Sequence, residues 1–371
     1  MKVYITVFGR HHAHRLAYQM QKRGMLGKIN IGYHGSVGSV KNKYIVRYFP
    51  IHAIRKSIKR VTKYDPNYSF SRIFDRIVKW KIRQQLDEGD IFYGWAGHCL
   101  ESLKEAKKIG ATTFIERSCP HIEFQKEVLK EESKITGIKY SGKSLQDEIM
   151  KKEYEETDYI VTPSTYSYES FVDSKVDIEK VLKVNLGARI YDKDKKNKED
   201  DTFRVLYVGG NALRKGLFYL LKAWNKMSLN NSELVIRGNV PLGLKKHTET
   251  DNIKVVGRVN RKKLRKMYQN SSVFCLPSVD EGFGMVVSEA MSHSLPVIIT
   301  ENVGAKDIVK DEKDGFIIPI RDCKKISEKV QFLKENKKRA KKMGKNAKKK
   351  AKKYTWNRYG MEMKKCFKKL G

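Results

Sequence analysis

VFCLPSVDEGFGMVVSEAMSHSLPVIIT, residues 273–300, is the stretch that decides the fold. Val273 to Leu276 is a short apolar run that stops at Pro277, as a buried parallel strand does. Glu281 to Gly284 (EGFG) forms a turn that needs small, permissive residues. Met285 to Met291 suits a buried helix, and Pro296 to Ile299 opens another strand. The unit is strand, glycine-bearing loop, helix, strand. Its helix N-terminus aims unpaired backbone N–H groups at whatever lies above the sheet.

Glu281 and Glu289 punctuate the loop and helix, eight positions apart. Eight residues of continuous helix would stack them about two turns apart on one face. With Glu281 in the loop, both can face one crevice, one at its mouth and one deeper. Carboxylates accept hydrogen bonds, and vicinal sugar hydroxyls donate them. The plainer alternative is a surface glutamate beside a helix-capping one.

The EGFG-x4-EAM pattern resembles the donor-site signature of family 4 (group 1) glycosyltransferases. That resemblance implies the GT-B fold: two Rossmann-like α/β domains facing across a cleft, with a C-terminal helix crossing back to the first. In the family, the first glutamate contacts the transferred sugar and the second holds the nucleotide ribose. Backbone amides after the Gly-Phe-Gly meet sugar and phosphate. These roles fall on Glu281, on Glu289, and on Gly282, Phe283, Gly284, Met285 and Val286. The implied units are residues 1–190 on the acceptor side, 191–355 on the nucleotide-sugar side, and 356–371 as the returning helix.

A similar unit recurs earlier. Arg204 to Val208 reads as a strand, Gly209 to Gly216 as a glycine loop, and Leu217 to Lys226 as a helix. Arg214 and Lys215 put two cations beside the helix N-terminus, a combination that attracts a diphosphate. The resemblance makes Gly209 and Gly210 donor-binding and gives Lys215 the family's phosphate role. Many members carry Arg directly after the first Gly. Here Gly210 stands there, and Arg214 is the substitute. After the strand Lys254 to Val256, the turn Gly257, Arg258, Val259 corresponds to a loop that touches the nucleotide base through its backbone.

On the acceptor side, Lys2 to Phe8 reads as a first strand and Gly9 to His14 as a loop opening onto a helix. At the edge of an open α/β sheet such a loop borders ligand, and the resemblance makes Gly9, Arg10, His11 and His14 acceptor-side candidates. Strand Ala111 to Ile115 runs into Arg117 and His121. Related enzymes place a histidine after such a strand near the anomeric carbon, which nominates His121. Arg117 is a candidate for neutralising phosphate. The plainer reading of His121 is a hydrogen-bonded loop histidine.

With 371 residues and 40% hydrophobic content, the chain has room for two cores. No run approaches the ~18 apolar residues that cross a bilayer. Cys99, Cys119, Cys275, Cys323 and Cys366 lack metal-type spacing and read as reduced thiols of a cytoplasmic protein. The 192–201 segment, DKDKKNKEDD, reads as linker. Its Asp192 and Asp194 superficially resemble a metal-binding pair, but enzymes of this fold generally need no metal.

The implied reaction moves a hexosyl unit from a UDP- or GDP-sugar to a glycan or lipid-linked acceptor. Configuration is retained by a front-face displacement, without cofactor or metal, in cell-surface polysaccharide or glycolipid synthesis. The alternatives are a nucleotide-sugar epimerase of the same fold and a nucleic-acid binder. The latter rests on charge alone, since no zinc spacing, helix-turn-helix signature or RNA-recognition motif accompanies it.

That charge is +35, from 77 basic and 42 acidic residues. Its distribution is uneven, for residues 1–64 hold fourteen Lys and Arg but no Asp or Glu. Within them Arg55, Lys56, Lys59 and Arg60 recur at helical spacing beside Ile54, Ile58 and Val61. This is the composition of a basic amphipathic segment lying on an anionic membrane. A solvated helix covering the first core is the competing reading.

Overall fold

The structure, a computed structural model, describes residues 1–9, 11–33, 35–48, 54, 57, 67–142, 144–191 and 200–371. Arg10, Arg55, Lys56, Lys59, Arg60, Asp192 and Asp194 lie outside them.

Short apolar runs alternating with amphipathic stretches favour parallel strands with crossover helices. The chain does this twice. The first sheet contains β1 (Val3–Val7), β2 (Leu26–Ile31), β3 (Ile45–Arg47), β4 (Ile91–Trp95), β5 (Thr112–Glu116), β6 (Tyr159–Thr162) and β7 (Val181–Lys183). Their order is β3-β2-β1-β4-β5-β6-β7. The second contains β8 (Phe203–Val208), β9 (Ser232–Arg237), β10 (Ile253–Val255), β11 (Val273–Leu276), β12 (Val297–Thr300) and β13 (Gly315–Ile318), in the order β10-β9-β8-β11-β12-β13. All these pairings are parallel. Helices cover both faces, so strands such as β11 and β12 are buried at every residue. The two-domain α/β architecture expected from the sequence is the one observed.

Strand order reverses between β1 and β4 in one sheet and between β8 and β11 in the other. Crossovers leave such a point toward opposite faces, so the loops beyond the strand ends part and leave a crevice. The loops after β8 and β11 carry Lys215 and Glu281.

The first sheet is flanked by α1 (Ala13–Lys22), α2 (Asn67–Ile82), α3 (Leu100–Lys108), α4 (Ile122–Thr136), α5 (Ser144–Glu156) and α6 (Thr165–Asp173). The second domain contributes α7 (Leu217–Trp224), α8 (Arg261–Asn270), α9 (Met285–Ser292), α10 (Cys323–Glu335) and α11 (Lys337–Ala351). A last helix, α12 (Trp356–Leu370), returns to the first domain. Its Phe367 ring lies 5.1 Å from Phe114 and 5.8 Å from Tyr93, and Arg23 Nη2 donates to the Asn357 carbonyl at 3.0 Å. The two chain crossings between domains touch, with Ala188 N–H donating to the Tyr354 carbonyl at 2.6 Å.

The Lys-rich stretch 334–353 reads from its composition as one helix. The structure breaks it at Asn336, whose φ of −103° and ψ of 59° leave the helical region. The Asn336 side-chain amide donates to the Phe332 carbonyl at 3.0 Å, a local bond that competes with helix continuation. Beyond it, Met343, Ala347 and Ala351 are buried, while the lysines between them face outward.

Candidate functional site

The two loops of the second domain meet because one residue has no side chain. Gly216 sits at φ +62°, and a Cβ there would lie 1.8 Å from the Pro277 carbonyl oxygen. The N–H groups of Val279 and Asp280 reach the Arg214 carbonyl at 2.9 and 3.3 Å. This close approach brings Lys215 Nζ to 2.6 Å from Glu281 Oε2. Burial pushes the Glu281 carboxyl up, but Lys215, Arg214 and the Gly284 amide more than offset this and hold it below the usual value. Backbone bonds from Gly304 to Glu281 (2.8 Å) and from Ala305 to Phe283 (2.6 Å) fix the loop from β12. Met285 and Val286 follow in the first turn of α9, where amides have no intrahelical acceptor. Gly209 lies against the Lys215 stem, and a Cβ at Gly210 would point into open space.

Arg214 is occupied differently from its neighbour. Its Nε lies 2.9 Å from Asp280 Oδ2, and an Nη lies 3.6 Å from Cys119 Sγ of the first domain. Asp280 is fully buried and also accepts from two first-domain side chains, Gln125 Nε2 at 2.6 Å and the Tyr166 hydroxyl at 3.3 Å. Gln125 in turn accepts from Arg117 Nη2 at 2.9 Å. Arg117 and Arg214 therefore end a chain of polar contacts that ties the domains together. Sequence reading missed Asp280 and Gln125, since only closure of the domains makes them partners. More ties run alongside. Asp307 accepts from Thr165 N–H at 2.8 Å, and Arg321 pairs with Glu131 and Glu132 at 2.8 and 3.0 Å.

Glu281 is held by Lys215, whereas Glu289 has a different partner. Glu289 takes the Tyr268 hydroxyl at 3.3 Å and lines a cavity of about 120 Å³ with Met285, Ser288 and residues of the first domain. Burial raises its pKa, against the Tyr268 hydrogen bond and the charges of Arg261, Arg189 and Arg237. Arg258 stands exposed in the loop after β10.

On the acceptor side, Gly9 follows β1, and His11 is exposed and stacked on Trp95 at 6.2 Å. The neighbour the sequence reading passed over, His12, is buried with its Nε2 against the Glu116 carboxylate at the end of β5. Glu116 also accepts from the Tyr93 hydroxyl at 2.8 Å and the Ser118 hydroxyl at 3.2 Å.

His121 is packed between the rings of Tyr154 and Phe171, each at 5.1 Å, and borders a different cavity with Glu123, Lys151 and Lys180. The structure does not bring it to the Lys215–Glu281 pair. Burial, reinforced by Arg117, lowers its pKa to about 4. Unfolded, it titrates near its ordinary 6.5. Below that pH the unfolded chain takes up a proton the folded one refuses, so stability falls as pH drops from about 6.5 toward about 4. Urea midpoints across that window should fall less steeply in His121→Asn than in the parent chain. Parallel slopes would refute the assignment.

Among the described residues no group of three or more His, Cys, Asp or Glu is placed to hold a metal ion, and no helix is long and apolar enough to cross a membrane. All five cysteines are free thiols.

Residues 189–350 match the family model described as "Glycosyl transferases group 1". An uncharacterized glycosyltransferase of Methanocaldococcus jannaschii is 32% identical over 130 residues, 32% of this chain and 32% of that protein. The capsular polysaccharide biosynthesis glycosyltransferase CapM of Staphylococcus aureus is 31% identical over 146 residues, 36% of this chain and 37% of its own length. The chain spans from 32% to 51% of the length of the first curated relatives it matches. Among solved structures, a sucrose-phosphate synthase from Thermosynechococcus elongatus superposes with a TM-score of 0.74 at 15% identity, covering 100% of this chain and 99% of that one. Anabaena HepE in complex with UDP-glucose gives 0.70 at 11% identity, covering 100% of both. The match to group 1 glycosyl transferases thus falls on residues 189–350, which carry Lys215, Glu281 and Glu289, and supports a glycosyltransferase.

Proposed function

We propose that the protein is a family 4 glycosyltransferase that moves a hexosyl unit from a UDP- or GDP-sugar to a glycan or lipid-linked acceptor, with retention of configuration. The observation that carries this is the Lys215–Glu281 pair, 2.6 Å apart between two glycine loops at the topological switch point. In the free protein the two charges hold each other in place. With donor bound, the Lys215 ammonium and the N-termini of α7 and α9 meet the charge that grows on the leaving diphosphate. Glu281 accepts from sugar hydroxyls and Glu289 from the ribose. The cleft aligns the acceptor hydroxyl, so the protein need not supply a nucleophile. HepE was solved with UDP-glucose, and CapM is named for capsular polysaccharide biosynthesis; both support this kind of donor and acceptor.

The test is a donor screen by thermal shift, followed by mass and anomeric analysis of products from a panel of lipid-linked and free glycan acceptors. Transfer with an unchanged anomeric configuration is expected. An epimerised nucleotide-sugar without acceptor product would replace the reading with the epimerase one. Turnover should survive EDTA, because leaving-group charge is met by cations of the chain. Activity abolished by chelation and restored by magnesium would send attention to Asp192 and Asp194.

The basic stretch Arg55, Lys56, Lys59 and Arg60 rests the acceptor domain on the anionic cytoplasmic face of a membrane, each cation adding about 1 kcal/mol. Replacing all four by Gln should release the protein from anionic liposomes while sparing nucleotide-sugar binding. Unchanged co-sedimentation at physiological salt would end this part of the proposal.

A further inference from the structure

The outward side of α2 is apolar where a surface helix is ordinarily polar. Ile73, Ile77 and Trp80 follow one another at helical spacing along one face, and they are 44%, 36% and 55% exposed. The opposite side, with Phe74, Val78 and Ile82, fills the first core. A lone exposed apolar side chain is ordinary. Among the described residues, however, no other helix leaves more than one large apolar side chain in the open. The sequence NYSFSRIFDRIVKWKI is thus apolar on both sides, and a helix of that kind is normally covered.

The charges around the ridge point to what covers it. Asp75 is the one acid in α2, and it is fully buried, accepting from the backbone N–H groups of Glu101 and Ser102 at 2.8 and 3.0 Å. Glu101 and Glu105 of α3 engage Lys79 and Arg83 at 3.3 and 2.6 Å. Arg76 and Lys81 remain, one on each flank of the ridge by helical geometry. Arg76 is exposed and forms no ion pair among the described residues. Lys81 Nζ lies 4.6 Å from the centroid of the Trp80 ring. An apolar ridge flanked by cations and free of carboxylates matches the boundary between acyl chains and anionic headgroups. Indole rings settle at that boundary, and Lys and Arg stems reach from apolar surface up to phosphates. A second copy of a chain at +35 would set like charges against each other, and the backbone of a nucleic acid offers an Ile-Ile-Trp ridge no apolar counterpart.

We propose that α2 lies in the interface of an anionic bilayer, with Ile73, Ile77 and Trp80 among the acyl chains and Arg76 and Lys81 at the headgroups. This adds an apolar anchor to the electrostatic contact assigned above to Arg55, Lys56, Lys59 and Arg60. It rests on the same membrane reading and is separable from it, because salt screens charges but not inserted side chains. The transferase reading is not needed for it.

The probes are vesicles of phosphatidylcholine mixed with phosphatidylglycerol, and the same vesicles carrying brominated acyl chains, which quench tryptophan within reach. Trp95, Trp224 and Trp356 are buried, so quenching reports on Trp80. In the parent chain, quenching and co-sedimentation should persist at about 1 M salt, where the screening length is only about 3 Å. In Ile73→Gln, Ile77→Gln, Trp80→Gln combined, the salt-resistant binding should fall roughly ten- to hundredfold, as three apolar side chains leave the acyl region. Its Tm should match that of the parent, since the three side chains face solvent. The four-Gln variant of residues 55–60 should lose binding at low salt yet keep the salt-resistant quenching; loss of that quenching too would assign all membrane contact to the basic stretch and overturn the anchor. Absence of quenching in the parent, or equal binding by the triple variant, would also overturn it. So would a parent dimer that the triple variant turns into a monomer without change in vesicle binding, which would give the ridge to a second copy.

Discussion

Lys215→Ala is expected to lower kcat by roughly 10²–10³, the size of effect seen when one preorganised group facing developing charge is removed. The ammonium lies 2.6 Å from Glu281 and is fixed by the loop that Gly216 tightens. Leaving-group charge is larger in the transition state than in bound donor, so kcat should fall more than donor affinity does. Lys215→Arg keeps the charge and should recover part of the loss. Because the substitution also strips Glu281 of its partner, Lys215→Ala with Glu281→Gln completes a double-mutant cycle that separates pairing from catalysis. A kcat within twofold of the parent for Lys215→Ala would remove the lysine from the reaction.

A methyl group at Gly282 should push the domains apart. Its Cβ would lie 2.1 Å from the Ser118 carbonyl oxygen and 2.7 Å from Cys119 Cα, both backbone atoms of the first domain. The Gly282 carbonyl also accepts from Ser164 Oγ at 2.5 Å and Ser167 Oγ at 3.2 Å, bonds that the displacement would break. In Gly282→Ala, small-angle scattering should show a larger radius of gyration than in the parent. Transfer should fall about a hundredfold, since a misplacement near 1 Å suffices for that. Gly282 is a loop residue outside both sheets, so thermal unfolding should move little by comparison. An unchanged radius together with unchanged turnover would show that the two loops need not touch.

Local chemistry was legible in the sequence where function and strand ends coincide. Val273 to Gly284 announces a strand and its glycine turn, and Leu217 onward announces a helix, because apolar runs and glycines act within a few residues. Contacts across the domains were not legible. Asp280 sits one residue before Glu281, yet its partners Gln125 and Tyr166 are more than a hundred positions away. Arg214 reads as a phosphate ligand by adjacency to Lys215, whereas a buried carboxylate captures its guanidinium. His121 follows the right strand, but the rings of Tyr154 and Phe171 hold it elsewhere. Glu116 and His12 stay hidden for the same reason, since a charge at a strand end has no local signature of its partner. The strand Leu26–Ile31 went unread because LGKINI alternates only weakly.

The helix that returns from the second domain sets an order of events during biosynthesis. Phe367 closes over Tyr93 and Phe114, and Tyr359 reaches the Glu116 carboxylate at 3.4 Å. Those pieces leave the ribosome only after the whole second sheet has been made. At about 5–20 residues per second, the first domain then waits on the order of ten seconds with part of its core uncovered. The later-encoded domain, contiguous in sequence, can finish folding first. Nascent chains halted before Trp356 should therefore engage chaperones through the face that α12 covers, and release should coincide with the emergence of Phe367.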